Sequence, residues 1–239
     1  MLFRDQVALV TGGGRGIGEA ISLMLGAEGA RVIVAARTLE EIDSVCAKVR
    51  SAGGRAVAMS VDISQEKSVA RLFQKIEDRF LNVDIVVNNA GIGLFGTVEQ
   101  FPVEELDRLY QVNLRGTFLC CQQAMRAMAP RRSGSIINIA SVVGIKGYAN
   151  QAGYTATKHA IMGLTKTLAL EAQEHGIRVS AVLPGGVDTA MVSDARPDLN
   201  RSELLQPEDV ADTVRFLLSL PPRAAIDEIY LRRFTSKPF

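Results

Sequence analysis

Val7-Ala8-Leu9-Val10-Thr11-Gly12-Gly13-Gly14-Arg15-Gly16-Ile17-Gly18 opens as a short apolar run and breaks into glycines. From Gly16 to Glu28 the apolar residues Ile17, Ile21, Met24 and Leu25 recur at helical spacing. A buried strand, a glycine turn and a helix therefore follow one another. Glycines let the backbone turn tightly and come close to a pyrophosphate, and a helix N-terminus offers free N–H groups and the positive end of its dipole. The key glycines are Gly12, Gly16 and Gly18, spaced Gly-x3-Gly-x-Gly, which is not the strict dinucleotide fingerprint. A turn kept glycine-rich only for close packing is the plain alternative. A phosphoryl-transfer loop is excluded, because the stretch lacks a Gly-Lys-Ser/Thr ending.

The same alternation runs on through the chain. Strands are expected at Arg31–Ala35, Ala56–Val61, Asp84–Val87, Ser135–Ile139, Val179–Leu183 and Ile226–Leu231. Between them lie helical stretches: one opened by a Thr38/Glu41 capping box and running to about Ser51, then about Gln65–Phe80, Val112–Met128 and Gly153–Glu174. Pro102 and Pro207 suit first helical turns, the latter followed by Glu208 and Asp209. Runs apolar on both faces, alternating with helices, specify a parallel sheet covered on both sides. Right-handed crossovers then make the chain, residues 1–239, a single doubly wound, Rossmann-like α/β domain with about seven strands. The polar stretch 188–206 follows strand six, at the sheet edge where such folds place ligands, and reads as a substrate loop.

Composition narrows the function. The 239 residues carry a net charge of +1, no Trp and 5% aromatic residues, so neither a basic footprint nor a stacking platform for nucleic acid is present. Cys46, Cys120 and Cys121 do not form a disulfide framework, and His159 and His175 are not spaced with them for a metal. No run reaches the ~18 apolar residues of a membrane span. The N-terminal apolar run is too short for a signal peptide, and Thr235–Phe239 matches no address signal, so a cytoplasmic protein is expected.

Strand two ends in Ala35-Ala36-Arg37. An NAD site would carry an acid here for the ribose 2′-hydroxyl. Ala36 takes that place, Arg37 follows it, and Arg15 sits in the glycine loop. Two guanidiniums suit a 2′-phosphate, so NADP(H) is expected rather than NAD(H). Asp62 reads equally as an acceptor for an adenine amino group and as a helix N-terminal acid beside Ser64.

Tyr154 and Lys158 lie one helical turn apart on one face. A phenol titrates near ~10, and a neighbouring ammonium is expected to bring it toward working pH, which makes the pair a candidate proton donor. His159 lies ~100° round the helix and reads as a packing residue. His175 before Gly176 suits a helix C-terminus.

With Asn88-Asn89-Ala90-Gly91 after strand four, the chain resembles the short-chain dehydrogenase/reductase family. The resemblance covers Val7 to about Thr189: the Thr11–Gly18 loop, Asp62, Asn88–Gly91, Asn113, Ser141, Tyr154 with Lys158, and Pro184-Gly185. It implies an Asn113–Ser141–Tyr154–Lys158 tetrad. Tyr154 would protonate the carbonyl oxygen in reduction and act as base in oxidation. Lys158 would lower the Tyr154 pKa and hold the nicotinamide ribose, Ser141 would bond the substrate carbonyl, and Asn113 would kink its helix and hold a relay water. The implied cofactor contacts are Gly12, Arg15, Gly16, Ile17, Gly18, Arg37, Asp62, Ile63, Asn89, Ala90, Gly91, Tyr154, Lys158, Pro184, Gly185, Val187 and Thr189.

Many members end in a Thr-Gly pair and an Asp-Gly-Gly; this chain has Ile226-Asp227-Glu228-Ile229-Tyr230-Leu231 instead. A homodimer is expected by resemblance, or a homotetramer, with Phe118, Leu119, Met125, Leu164 and Leu168 serving either an interface or the core. The expected activity is NADPH-dependent reduction of a ketone or aldehyde, of 3-oxoacyl or other small-carbonyl type. The competing expectation is a non-catalytic protein that senses NADP(H).

Overall fold

In the computed structural model, residues 1–195 and 200–238 are described. The parallel sheet has seven strands in the order β3-β2-β1-β4-β5-β6-β7: β1 Val7–Thr11, β2 Arg31–Ala36, β3 Arg55–Ser60, β4 Ile85–Asn88, β5 Gly134–Ile139, β6 Ile177–Pro184 and β7 Glu228–Leu231. The helices are α1 Gly16–Ala27, α2 Leu39–Ser51, α3 Glu66–Phe80, α4 Val103–Leu109, α5 Thr117–Met128, α6 Ala152–Gln173, α7 Ala190–Ala195 and α8 Pro207–Leu218. The strand order reverses between β1 and β4, and the carboxyl ends of the strands at such a switch point are where open α/β sheets place their ligands.

Alternation along each strand builds the two faces of the core. Ala8, Val10, Val32 and Val34 meet Ile21 and Leu25 of α1, Val45 and Val49 of α2, and Val214 of α8. Val7, Leu9, Ile33 and Val86 point the other way, onto Leu72 and Ile76 of α3 and onto Cys120, Ala124 and Met128 of α5. Each fully buried aliphatic side chain contributes roughly 1.5–3 kcal/mol, so these layers hold the sheet ends in fixed register.

Four expectations need correcting. Thr38 is the N-cap residue of α2, but its side chain makes no cap bond, and the Glu41 carboxylate stands 3.7 Å from Arg15 instead of closing a box. The capping box forms at α8, between Gln206 and Asp209. The helix expected from Val112 is continuous with α4 and contains a π-helical segment, Tyr110–Gly116, before α5 begins. The stretch after β6 holds a short helix, α7, and a 3-10 turn at Arg201–Glu203; residues 196–199 of that expected loop lie outside the described residues. Strand ends shift by one or two residues, as at β3, which starts at Arg55, and β7, which starts at Glu228.

Candidate active site

The glycine loop is shaped by what packs on it. Gly12 and Gly16 have φ of 63° and 54°, a region L side chains rarely adopt. A Cβ on Gly18 would collide with the Gly12 carbonyl oxygen, so α1 can begin this close to the turn only with glycine there. The segment after β4 staples the loop: Asn89 Nδ2 donates to the carbonyls of Thr11 at 3.1 Å and Gly12 at 3.0 Å. Thr11 Oγ1 accepts from the Asn89 and Ala90 amides at 3.1 and 3.2 Å. The Asn89 amide nitrogen is thus committed to the loop. Thr11, buried at the tip of β1, is a contributor that the sequence reading did not single out.

Beyond β2, Arg37 is exposed and forms no ion pair among the described residues. Arg15 Nη1 stands 3.7 Å from Glu41 Oε1. Asp62 follows the structural alternative in part: its Oδ1 accepts from the Ser64 amide at 3.0 Å and from Ser64 Oγ at 2.7 Å. Ile63 is buried against Gly116, where a Cβ would lie 2.6 Å from its side chain.

The residues of the expected tetrad come from three parts of the fold. Ser141 follows β5, with Oγ accepting from the Val143 amide at 3.3 Å. Tyr154 and Lys158 lie on α6, and the Lys158 Nζ is 5.6 Å from the centre of the Tyr154 ring. Lys158 is buried and donates to the Ile139 carbonyl at 3.0 Å. Asn113 sits in the π-helical segment, where Oδ1 accepts from the Ile92 amide at 2.8 Å and Nδ2 donates to the Ile92 carbonyl at 2.9 Å. Its Nδ2 also donates to Thr157 Oγ1 at 3.2 Å, and Thr157 in turn donates to the Tyr154 carbonyl at 2.8 Å. The extra residue per turn of a π-helix aims this amide inward, and the side chain ties the end of β4 to the backbone of α6. Thr157, inside the Tyr-x-x-x-Lys spacing, is a second residue the sequence reading passed over.

The electrostatics reverse one expectation. Burial pushes the Tyr154 phenol up to about 12, and a hydrogen bond with Ser141 pulls the other way. Lys158 is not among the causes of that shift; burial lowers its own ammonium to about 8, which leaves it charged at neutral pH. At neutral pH the phenol therefore keeps its proton. Phe95 packs its edge against the Tyr154 ring, with centroids 5.5 Å apart, and a Cβ on Gly93 would meet Phe95 and Met191 of α7. Apolar side chains thus flank the phenol.

Pro184 ends β6, and the Gly185 amide donates to the Leu231 carbonyl at 2.7 Å. Val187 is buried and bridges to Leu205, and Asp188 is held to Arg201 at 2.7 Å. Thr189 stands 3.1 Å from a Cβ placed on Gly16, which brings the segment after β6 against the glycine loop. The carboxyl ends of the strands therefore gather Gly12, Gly16 and Gly18 with Thr189 on one side and Ser141, Tyr154, Lys158 and Asn113 on the other. His159 is exposed, its Nδ1 3.0 Å from the Thr155 carbonyl, so it is not the packing residue expected. Among the described residues there is no cluster of acids, Cys and His able to hold a metal, and no helix long and apolar enough to cross a membrane.

A family model described as short chain dehydrogenase matches residues 6–200. A 3-oxoacyl-(acyl-carrier-protein) reductase of Synechocystis sp. is 40% identical over 227 residues, covering 92% of each chain. A 3beta-hydroxysteroid dehydrogenase of Mediterraneibacter gnavus is 36% identical, covering 82% of this chain and 71% of its own. Among solved structures, an alcohol dehydrogenase from Thermococcus sibiricus, complexed with 5-hydroxy-NADP, superposes with a TM-score of 0.91 at 29% identity, covering 99% of this chain and 100% of its own. A variant of the actinorhodin polyketide ketoreductase with NADPH gives 0.89 at 32% identity, covering 96% of each chain. The matched model, the level of identity and the geometry of the site agree: the chain belongs to the short-chain dehydrogenase/reductase family of oxidoreductases.

Proposed function

We propose that this oxidoreductase uses NADP(H) to reduce a ketone or aldehyde to an alcohol, and that Tyr154 is its proton donor. One observation carries the reading: a protonated phenol, with Ser141 beside it and a buried Lys158 behind its ring, lies across the carboxyl ends of the strands from a glycine loop. The fit to a dinucleotide rests on the loop's shape and on its donor set. Gly12, Gly16, Ile17 and Gly18 present backbone at a helix N-terminus, and Ala36, followed by Arg37, stands where an NAD site would carry an acid. Gly12, Arg15, Gly16, Ile17, Gly18, Arg37, Asp62, Ile63, Ala90, Gly91, Lys158, Pro184, Gly185, Val187 and Thr189 would hold the cofactor. Asn89 acts one step back, by fixing the loop. A bound nicotinamide would supply the hydride.

The remaining work belongs to the chain's own groups. Ser141 and Tyr154 hydroxyls donate to the carbonyl oxygen, where negative charge accumulates as its carbon is reduced. Tyr154 then releases its proton to that oxygen, and its high pKa means the proton is present at working pH. Lys158, close enough to stabilise the phenolate that results, assists the transfer in both directions. Asn113 is a positioning residue that holds α6 against the end of β4 through Thr157. The segment from Met191 into the stretch after it would border the substrate, as expected of a substrate loop. The half-exposed Phe118 on α5, with Leu170 on α6, supports pairing of copies as a homodimer.

The test is NADPH oxidation against a panel of ketones and aldehydes, 3-oxoacyl thioesters included. Turnover on members of the panel is expected. Tight NADPH binding with silence across the panel would instead favour a sensor.

A further inference from the structure

The capping box that fails to form at α2 leaves an arrangement with a consequence for the cofactor. Thr38 caps α2 without a side-chain bond, so its hydroxyl does not satisfy the first amides of this 13-residue helix. Arg37 precedes them and Arg15 faces them across the turn. These are the groups a phosphomonoester would seek. Yet Glu41 lies among them. Its Oε1 is 3.7 Å from Arg15, and its Cβ and Oε2 would lie 2.9 and 3.2 Å from a Cβ placed on Gly14. Glu41 therefore stands against the glycine loop, its side chain 38% exposed and that of Arg15 75% exposed. With Glu40 also in the first turn, the four side chains Arg15, Arg37, Glu40 and Glu41 sum to zero charge.

We infer that Glu41 sets how strongly this chain prefers a 2′-phosphorylated adenosine, by holding Arg15 in competition with the phosphate. This rests on the NADP(H) reading above and refines it. A phosphomonoester bears a charge near −1.5 to −2 at neutral pH, so it must draw Arg15 away from Glu41 and settle close to that carboxylate. An unphosphorylated ribose makes no such demand. Glu41 thus weakens one cofactor class selectively.

The probes are adenosine 2′,5′-bisphosphate and adenosine 5′-monophosphate, titrated by calorimetry into the intact protein at low ionic strength. Glu41→Gln is expected to tighten the bisphosphate about 5- to 10-fold, as one negative charge is removed several ångströms from the phosphate, and to change the monophosphate less than about 2-fold. Glu40→Gln makes the same charge change one position away and is expected to give a smaller gain. In an Arg15→Ala background the Glu41→Gln gain should fall below about 2-fold. A bisphosphate affinity that Glu41→Gln leaves unchanged or weakens, an equal gain for both probes, or a gain that survives whole without Arg15 would overturn the inference. If neither the wild type nor Glu41→Gln prefers the bisphosphate, the NADP(H) reading itself fails; a wild-type preference that Glu41→Gln does not alter defeats only the role of Glu41. Melting curves of each variant confirm that it is folded.

Discussion

Replacing Lys158 by methionine should make the folded protein more stable at neutral pH while removing its activity. Lys158 is 6% exposed, and burial lowers its ammonium from 10.5 to about 8. That gap corresponds to roughly 3 kcal/mol spent on keeping the group charged inside the fold at pH 7. Methionine fills a similar volume without charge, but it leaves the Ile139 carbonyl without its donor at 3.0 Å, a loss of about 1 kcal/mol. Lys158→Met should therefore gain about 2 kcal/mol at pH 7. The sign with pH follows from which state binds more protons. Between about 8 and 10.5 the folded chain has released the Lys158 proton while the unfolded chain still holds it, so the wild type gains stability from this group as pH rises. The advantage of the variant should hold up to about pH 8 and shrink to near zero by about pH 10. Urea denaturation of both proteins at several pH values measures it. A variant less stable at pH 7, or a difference that does not change with pH, would refute the claim that a buried ammonium is held here at a cost.

Arg37→Ala should weaken NADPH by about 10-fold or more and leave NADH nearly unchanged, read by quenching or enhancement of nicotinamide fluorescence; an equal loss for both would remove Arg37 from the 2′-phosphate. Gly18→Ala should prevent stable folding or lower the melting temperature sharply, because the new methyl falls on the Gly12 carbonyl oxygen. A variant with a wild-type melt would contradict the loop geometry. Asn113→Ala should cost about 2–4 kcal/mol in denaturant unfolding, since it strands both the amide and the carbonyl of Ile92 in a half-buried setting.

The fold was legible because its signals are local and repeated. The runs Val7–Val10, Arg31–Ala35 and Ser135–Ile139 are apolar on both faces, and only a sheet covered on both sides explains that. The Tyr154–Lys158 pair was legible because the two share a helix face, whereas Ser141 and Asn113 came only with the family resemblance. What escaped depended on contacts between distant segments. Thr38 and Glu41 have capping-box spacing, but Arg15, on the far side of β2 in the chain, takes the carboxylate. Asn113 sits in a π-helical segment that no periodicity announces, since its purpose is to meet Ile92 and Thr157. The direction of the Tyr154 shift turned on how deeply Tyr154 itself is buried, and spacing along a helix carries no information about depth. His159 was misplaced for the same reason.

The central claim is that Tyr154 delivers the proton. Tyr154→Phe keeps the ring that packs on Phe95 and removes only the hydroxyl. In single-turnover reduction of an active carbonyl substrate, the variant should bind NADPH as the wild type does and lose roughly 10²- to 10⁴-fold in rate. Unimpaired turnover by a folded, NADPH-binding Tyr154→Phe would contradict the account.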